Sequence, residues 1–122
     1  LFIDYGYVRP EGADTLQALK NHRKVDPIEA PGEADLTAHV DFARVAQLAD
    51  AAGLQVHGPM TQGAFLHALG IDYRAEALRS ANPQHDERLA REVKRLTGES
   101  EMGALFKVIC ISSPGLPAPA GF

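Results

Sequence analysis

The chain has 122 residues, enough for one domain or part of one. Its 45% hydrophobic and 23% charged residues are those of an ordinary globular protein. The net charge of −4 argues against nucleic-acid binding through a basic face. No run approaches the roughly 18 apolar residues of a membrane span.

Cys110 is the single cysteine, so a disulfide framework and a four-cysteine zinc site are excluded within these residues. In Val108-Ile109-Cys110-Ile111 it reads as a small buried hydrophobe. No secretory signal pattern opens the chain.

The opening Leu1-Phe2-Ile3-Asp4-Tyr5-Gly6 reads as a central parallel strand running into a loop. A strand at residue one needs neighbours, so the chain is expected to be a piece of a longer protein. Residues 6–34, punctuated by Pro10, Gly12, Pro27, Pro31 and Gly32, read as irregular. Within them, residues 15–20 are compatible with a short helix or an extended arm.

Asp41 predicts the N-cap of a helix over 42–52, with Phe42, Val45, Leu48, Ala49 and Ala52 on its apolar face and Gly53 after its end. Residues 54–58 read as a strand. Thr61 predicts the cap of a helix over 62–69 closed by Gly70, and Asp72 the cap of another over 73–81. Asn82-Pro83 predicts a third start, and that helix runs to about residue 97 with Glu87–Arg91 and Arg88–Glu92 pairs. Its thin apolar stripe (Leu89, Val93, Leu96) suits a surface helix. Residues 104–111, after Gly103, are the longest strand candidate. The proline-rich tail from Pro114 excludes a helix or central strand and reads as a natural C-terminus. About three strands and several surface helices make a poor core alone, which fits one half of a larger α/β domain.

Four blocks carry a family resemblance. They are Leu1-Phe2-Ile3-Asp4-Tyr5-Gly6-Tyr7, Pro31-Gly32-Glu33-Ala34-Asp35-Leu36-Thr37-Ala38-His39-Val40-Asp41-Phe42, Gly58-Pro59-Met60-Thr61-Gln62-Gly63-Ala64-Phe65-Leu66 and Met102-Gly103-Ala104-Leu105-Phe106-Lys107-Val108. In these the chain resembles the C-terminal part of the MidA-like S-adenosylmethionine-dependent methyltransferases. That family's mitochondrial member is a complex I assembly factor and protein arginine methyltransferase.

The resemblance implies an α/β fold: the C-terminal portion of a class I (Rossmann-like) methyltransferase fold with a helical insert between the last two strands. Residues 1–4 would be the fifth strand, 54–57 the sixth and 104–111 the seventh, inserted antiparallel. Residues 1–60 would then hold strand, long loop, helix and strand, 61–102 the insert, and 103–122 the last strand and tail. The implied cofactor is S-adenosyl-L-methionine and the implied partner a protein substrate, with no nucleic acid and no membrane span. The implied location is the cytoplasm in a bacterium and the mitochondrial matrix in a eukaryote. No Gly-x-Gly motif occurs in the chain. The main cofactor-binding motif is therefore expected upstream of Leu1.

An arginine acceptor needs carboxylates that orient its planar fork. Asp4, at the end of an apolar strand where ligands sit in open α/β sheets, is a substrate contact or a loop-anchoring carboxylate. Tyr5 beside it walls a pocket or simply packs. If residues 35–41 are extended, Asp35, Thr37, His39 and Asp41 share one face, while Leu36, Ala38 and Val40 face the core. This makes Asp35 and His39 the catalytic candidates, with Asp4, Tyr5, His22, Glu33 and Asp41 as substrate contacts. Asp41 reads equally as a plain cap, Asp35 as a turn-former and His39 as a surface histidine. His22-Arg23 is part of a lid or ordinary solvated charge. Gln62 and Gly63 open a helix whose N–H groups could meet an anion. His57, His67 and His85 read as structural.

The leading reading is a methyltransferase acting on an arginine of a partner protein. The alternative is a non-catalytic assembly factor or binding module that keeps the fold and docks through residues 61–102. A metal-dependent hydrolase using His22, His39 and Asp41 is the third, and no metal is expected.

Overall fold

A computed structural model describes residues 1–9, 14–29 and 31–122. Among them the strands are β1 (Phe2–Tyr7), β2 (Gln17–Lys20), β3 (Arg23–Val25), β4 (Asp35–Thr37), β5 (Val40–Asp41), β6 (Gln55–Thr61) and β7 (Phe106–Ser112). The helices are α1 (Phe42–Ala51), α2 (Gln62–Ala68), α3 (Ile71–Ala81), α4 (Asp86–Thr97) and α5 (Met102–Leu105).

The β-branched run of β7 makes it the central strand. It lies between β1 and β6 and is antiparallel to both, in a sheet ordered β5-β1-β7-β6. Neighbours on both edges and layers on both faces leave Val108 and Ile109 fully buried. Cys110, one residue on, is only half-buried. The opening strand lies inside the sheet, between β5 and β7, but is mostly antiparallel in its pairing and not parallel. Phe2–Tyr5 pair with β7, and only Gly6 and Tyr7 pair in parallel, with β5.

Helix α1 starts where Asp41 Oδ1 accepts from the Arg44 N–H at 2.9 Å, and Gly53 (φ 74°) follows its end. Phe42 and Ala49 are buried against the sheet, whereas Leu48 and Ala52 are exposed. Burial of a side chain such as Phe42 is worth about 1.5–3 kcal/mol. Strand β6 extends three residues beyond the predicted end at residue 58, through an irregularity between His57 and Met60 that holds the cis Gly58–Pro59 peptide.

The stretch read as irregular supplies β2 and β3 of a second sheet, ordered β3-β2-β4, which β4 completes just after it. Residues 15–20 are an extended arm. Asn21 and His22, at φ 50° and 61°, form the two-residue turn between β2 and β3. A turn with both central residues at positive φ matches the right-handed twist of the strands it joins. Pro10 and Gly12 lie outside the described residues.

Residues 62–105 are helical, between β6 and β7. Thr61 Oγ1 caps α2 by accepting from the Ala64 N–H. Asp72 does not cap α3: Gly70 holds the N-cap position, and Asp72 sits in the first turn, where Oδ2 meets His67 Nδ1 at 2.7 Å. Asn82-Pro83 opens a 3-10 turn, Pro83–His85, and α4 begins three residues later than predicted. Arg88 Nε donates to Glu92 at 2.8 Å, and that carboxylate raises the guanidinium's proton affinity. Both side chains are exposed, so the pair adds little stability. The last strand starts later than predicted because Met102–Leu105 form a helical turn.

Candidate functional site

A cleft of about 1020 Å³ opens at the carboxyl end of β1. That is the end at which open α/β sheets place their ligands. Three parts of the chain wall it. Residues 6–9 continue β1 along the floor; the arm contributes Asp14, Thr15 and Gln17, with His39 beside them; the end of the helical insert contributes Arg95 and residues 99–102. Because β7 is antiparallel to β1, its amino-terminal Lys107 also faces this end, with Nζ donating to the Ala104 and Leu105 carbonyls.

His39 lies between β4 and β5, where the chain passes from the outer sheet to the main one. Its backbone N–H donates to Thr15 Oγ1 at 3.2 Å, tying the arm to the cleft. Its ring meets Tyr5 edge-on at 5.9 Å, and Tyr5 meets Phe106 edge-on at 5.6 Å. Such edge-to-face contacts fix ring orientation at little entropic cost. Gly6 is required beneath them: a Cβ there would lie 2.2 Å from the Val40 carbonyl oxygen and 2.8 Å from the Phe42 ring.

The expected face of Asp35, Thr37, His39 and Asp41 does not form. Strand β4 pairs with β2 in the outer sheet and β5 with β1 in the main one, so residues 35–41 are not one strand. Leu36 and Ala38, expected in the core, are exposed. Of the seven candidates only His39 lines the cleft. Tyr5 supports it from behind. Asp4 lies along a separate apolar hollow of about 450 Å³ with Phe2, Ile3 and Val45, and its Oδ1 accepts from the Tyr5 N–H. Asp35 is exposed on β4, Glu33 is ion-paired with Lys20, His22 sits in the arm's turn and Asp41 caps α1.

His57, read as structural, has Ser112 Oγ at 3.4 Å and the Phe122 ring at 6.1 Å. Among the described residues no three His, Cys, Asp or Glu side chains are grouped to hold a metal, so the hydrolase arrangement is absent there. Also among them, no helix is long and apolar enough to cross a membrane.

Tyr7, Asp14, Thr15, Arg95, Glu99 and Glu101 line the cleft and were not singled out by the sequence reading. Their convergence depends on long-range packing of the arm and the insert, and no local spacing signals it.

Residues 1–60 match a family model described as "Putative S-adenosyl-L-methionine-dependent methyltransferase". The protein arginine methyltransferase NDUFAF7 homolog, mitochondrial, of Drosophila melanogaster is 40% identical over 97% of this chain and 27% of its own length. The Danio rerio protein arginine methyltransferase NDUFAF7, mitochondrial, is 39% identical over 91% of this chain and 26% of its own. A crystal structure from Burkholderia thailandensis, bound to S-adenosyl-homocysteine, superposes with a TM-score of 0.81 at 33% identity, over 98% of this chain and 33% of that one. The chain belongs to the MidA-like methyltransferase family.

It spans about a quarter of the length of the curated relatives it matches. The neighbours identify the β1-β7-β6 order, with β7 antiparallel, as part of a class I methyltransferase sheet.

Proposed function

We propose that these residues form the acceptor side of an S-adenosylmethionine-dependent methyltransferase that methylates an arginine of a partner protein. The observation that carries the reading is the likeness to a family member bound to S-adenosyl-homocysteine, the demethylated product of that cofactor. The names of the arginine methyltransferase relatives support the acceptor. Their mitochondrial label supports the matrix as the location for a eukaryotic source.

The chain's own residues fit only part of the cofactor's needs. The cleft has polar and charged walls, yet no glycine-rich turn suited to a nucleotide is among its residues. The cofactor supplies a methyl group on a sulfonium, ready for in-line displacement. The residues here hold the acceptor against it, which is mainly a matter of position and charge. When the guanidinium nitrogen gains its methyl it must lose a proton. We assign that proton to the His39 imidazole, whose ring meets Tyr5 edge-on and whose backbone N–H is held by the Thr15 hydroxyl, with Tyr7 on the floor. Glu33, Asp35 and His22, on the arm outside the cleft, are assigned to outer contacts with the protein substrate. Asp4 and Asp41 are assigned to local structure.

The test uses the full-length protein. Calorimetry should show S-adenosyl-homocysteine binding, and mass spectrometry should find methyl-arginine on a protein incubated with the cofactor. Cofactor binding without any methylated arginine would overturn the acceptor assignment. Absence of cofactor binding would overturn the reading as a whole and leave a binding module that keeps the fold.

A further inference from the structure

Strand β6 ends at Thr61, and α2 begins on the next residue. That residue, Gln62, is 6% exposed, and its Nε2 donates to the Leu96 carbonyl at 2.8 Å. The last carbonyls of a helix have no partner inside it, so this bond anchors the end of α4 to the end of the sheet. Two glycines bring the backbones together at the same place. A Cβ at Gly63 would lie 2.6 Å from the Thr97 carbonyl oxygen, and one at Gly103 would lie 2.1 Å from it. Three helices (α2, α4 and α5) therefore meet at Thr97 with no side chain between them.

The fixed helix end carries one wall of the cleft. Arg95 lies in the last turn of α4, and Glu99 and Glu101 lie in the turn that follows. All three are exposed, and all three line the cleft along with Thr15 and His39 of the arm. The wall bears both signs of charge. Charges on a preorganised wall discriminate between ligands more than they drive the chemical step.

We propose that residues 95–101 read the sign of charge on the peptide segment flanking the methyl acceptor, and that Gln62 is the positioning residue that holds them in place. The proposal rests on the methyltransferase reading above and adds to it the part of the substrate that the insert selects.

The test compares full-length wild type with Arg95→Glu, Glu101→Lys and Gln62→Leu. The probe is a set of arginine-centred peptides with lysine or glutamate on either side of the arginine. Arg95→Glu should shift the kcat/KM preference at least fivefold toward lysine-flanked peptides. Glu101→Lys should shift it at least fivefold toward glutamate-flanked ones. Gln62→Leu should raise KM for every charged peptide at least threefold and blunt the preference, with S-adenosyl-homocysteine affinity within twofold of wild type. A loss of structure alone would not move the two charge variants in opposite directions. If Gln62→Leu fails to fold, those two exposed variants decide the question. Preferences within twofold of wild type in both would overturn the wall. If the wild type binds no S-adenosyl-homocysteine, the methyltransferase reading fails by itself. Calorimetric binding of the same peptides then tests the wall independently.

Discussion

The imidazole of His39 stands edge-on to the Tyr5 ring, with centroids 5.9 Å apart and planes at 63°. This gives a histidine at the cleft surface a fixed back. Removing a positioned proton acceptor costs about 10²–10⁴ in rate. His39→Ala and His39→Phe in the full-length protein should each lose at least tenfold in kcat. The phenylalanine variant keeps the ring contact, so its retention of turnover would make His39 a wall and not a proton acceptor. Asp35→Asn, on the exposed β4, should cost less than threefold.

Asp41 separates a structural from a functional carboxylate. Its Oδ1 accepts from the Arg44 N–H, the geometry of a cap. Asp41→Ala should lower stability by about 1 kcal/mol, as losses of N-caps do. Asp41→Ser should restore most of it. Urea unfolding of the full-length protein measures both. A serine variant that is stable but has lost turnover would return Asp41 to the site.

His22 is held at φ 61° in the arm's turn, a conformation that costs a non-glycine residue about 1–2 kcal/mol. His22→Gly should therefore stabilise the arm by up to about 1 kcal/mol, because glycine adopts that region freely. Slower exchange of the β2 and β3 amides would be the readout. A drop in turnover with no change in exchange would favour a role in substrate contact.

Gly6 has no room for a side chain. Gly6→Ala drives a methyl into the Val40 carbonyl and the Phe42 ring, and such overpacking costs about 1–3 kcal/mol. A lower thermal midpoint is expected. An unchanged midpoint would mean that β5 gives way, and turnover would then fall because His39 precedes β5 directly.

Much of the main sheet was legible because its signals are local. The Asp41 and Thr61 caps, Gly53 and the apolar run of β7 each announce themselves within a few residues. The resemblance supplied what those cannot, the antiparallel place of β7 between β1 and β6. The arm was illegible because its turn, Asn21-His22, lacks the glycine that advertises such a hairpin. Asp72 and Asn82 look like caps by residue type, yet one is drawn to His67 and the other's side chain donates to the Leu78 carbonyl. The cleft was missed for a different reason. Among the described residues its walls come from 6–9, 14, 15, 17, 39, 95, 99–102, 104, 105 and 107, and only tertiary packing brings them together. The alternation of residues 35–41 suggested a site that the chain breaks by changing sheets between Thr37 and Val40.

That change of sheets divides the cleft by mechanical strength. Among the described residues β2, β3 and β4 pair only with one another, and β1, β5, β6 and β7 likewise. Two ladders without a shared strand open separately, each with its own free energy. The wall that carries Gln17 belongs to the small outer ladder and should open first. The wall that carries Lys107 belongs to the strand with the buried Val108 and Ile109 and should open last. A substrate would therefore meet a yielding side and an unyielding one, with His39 at the seam between them.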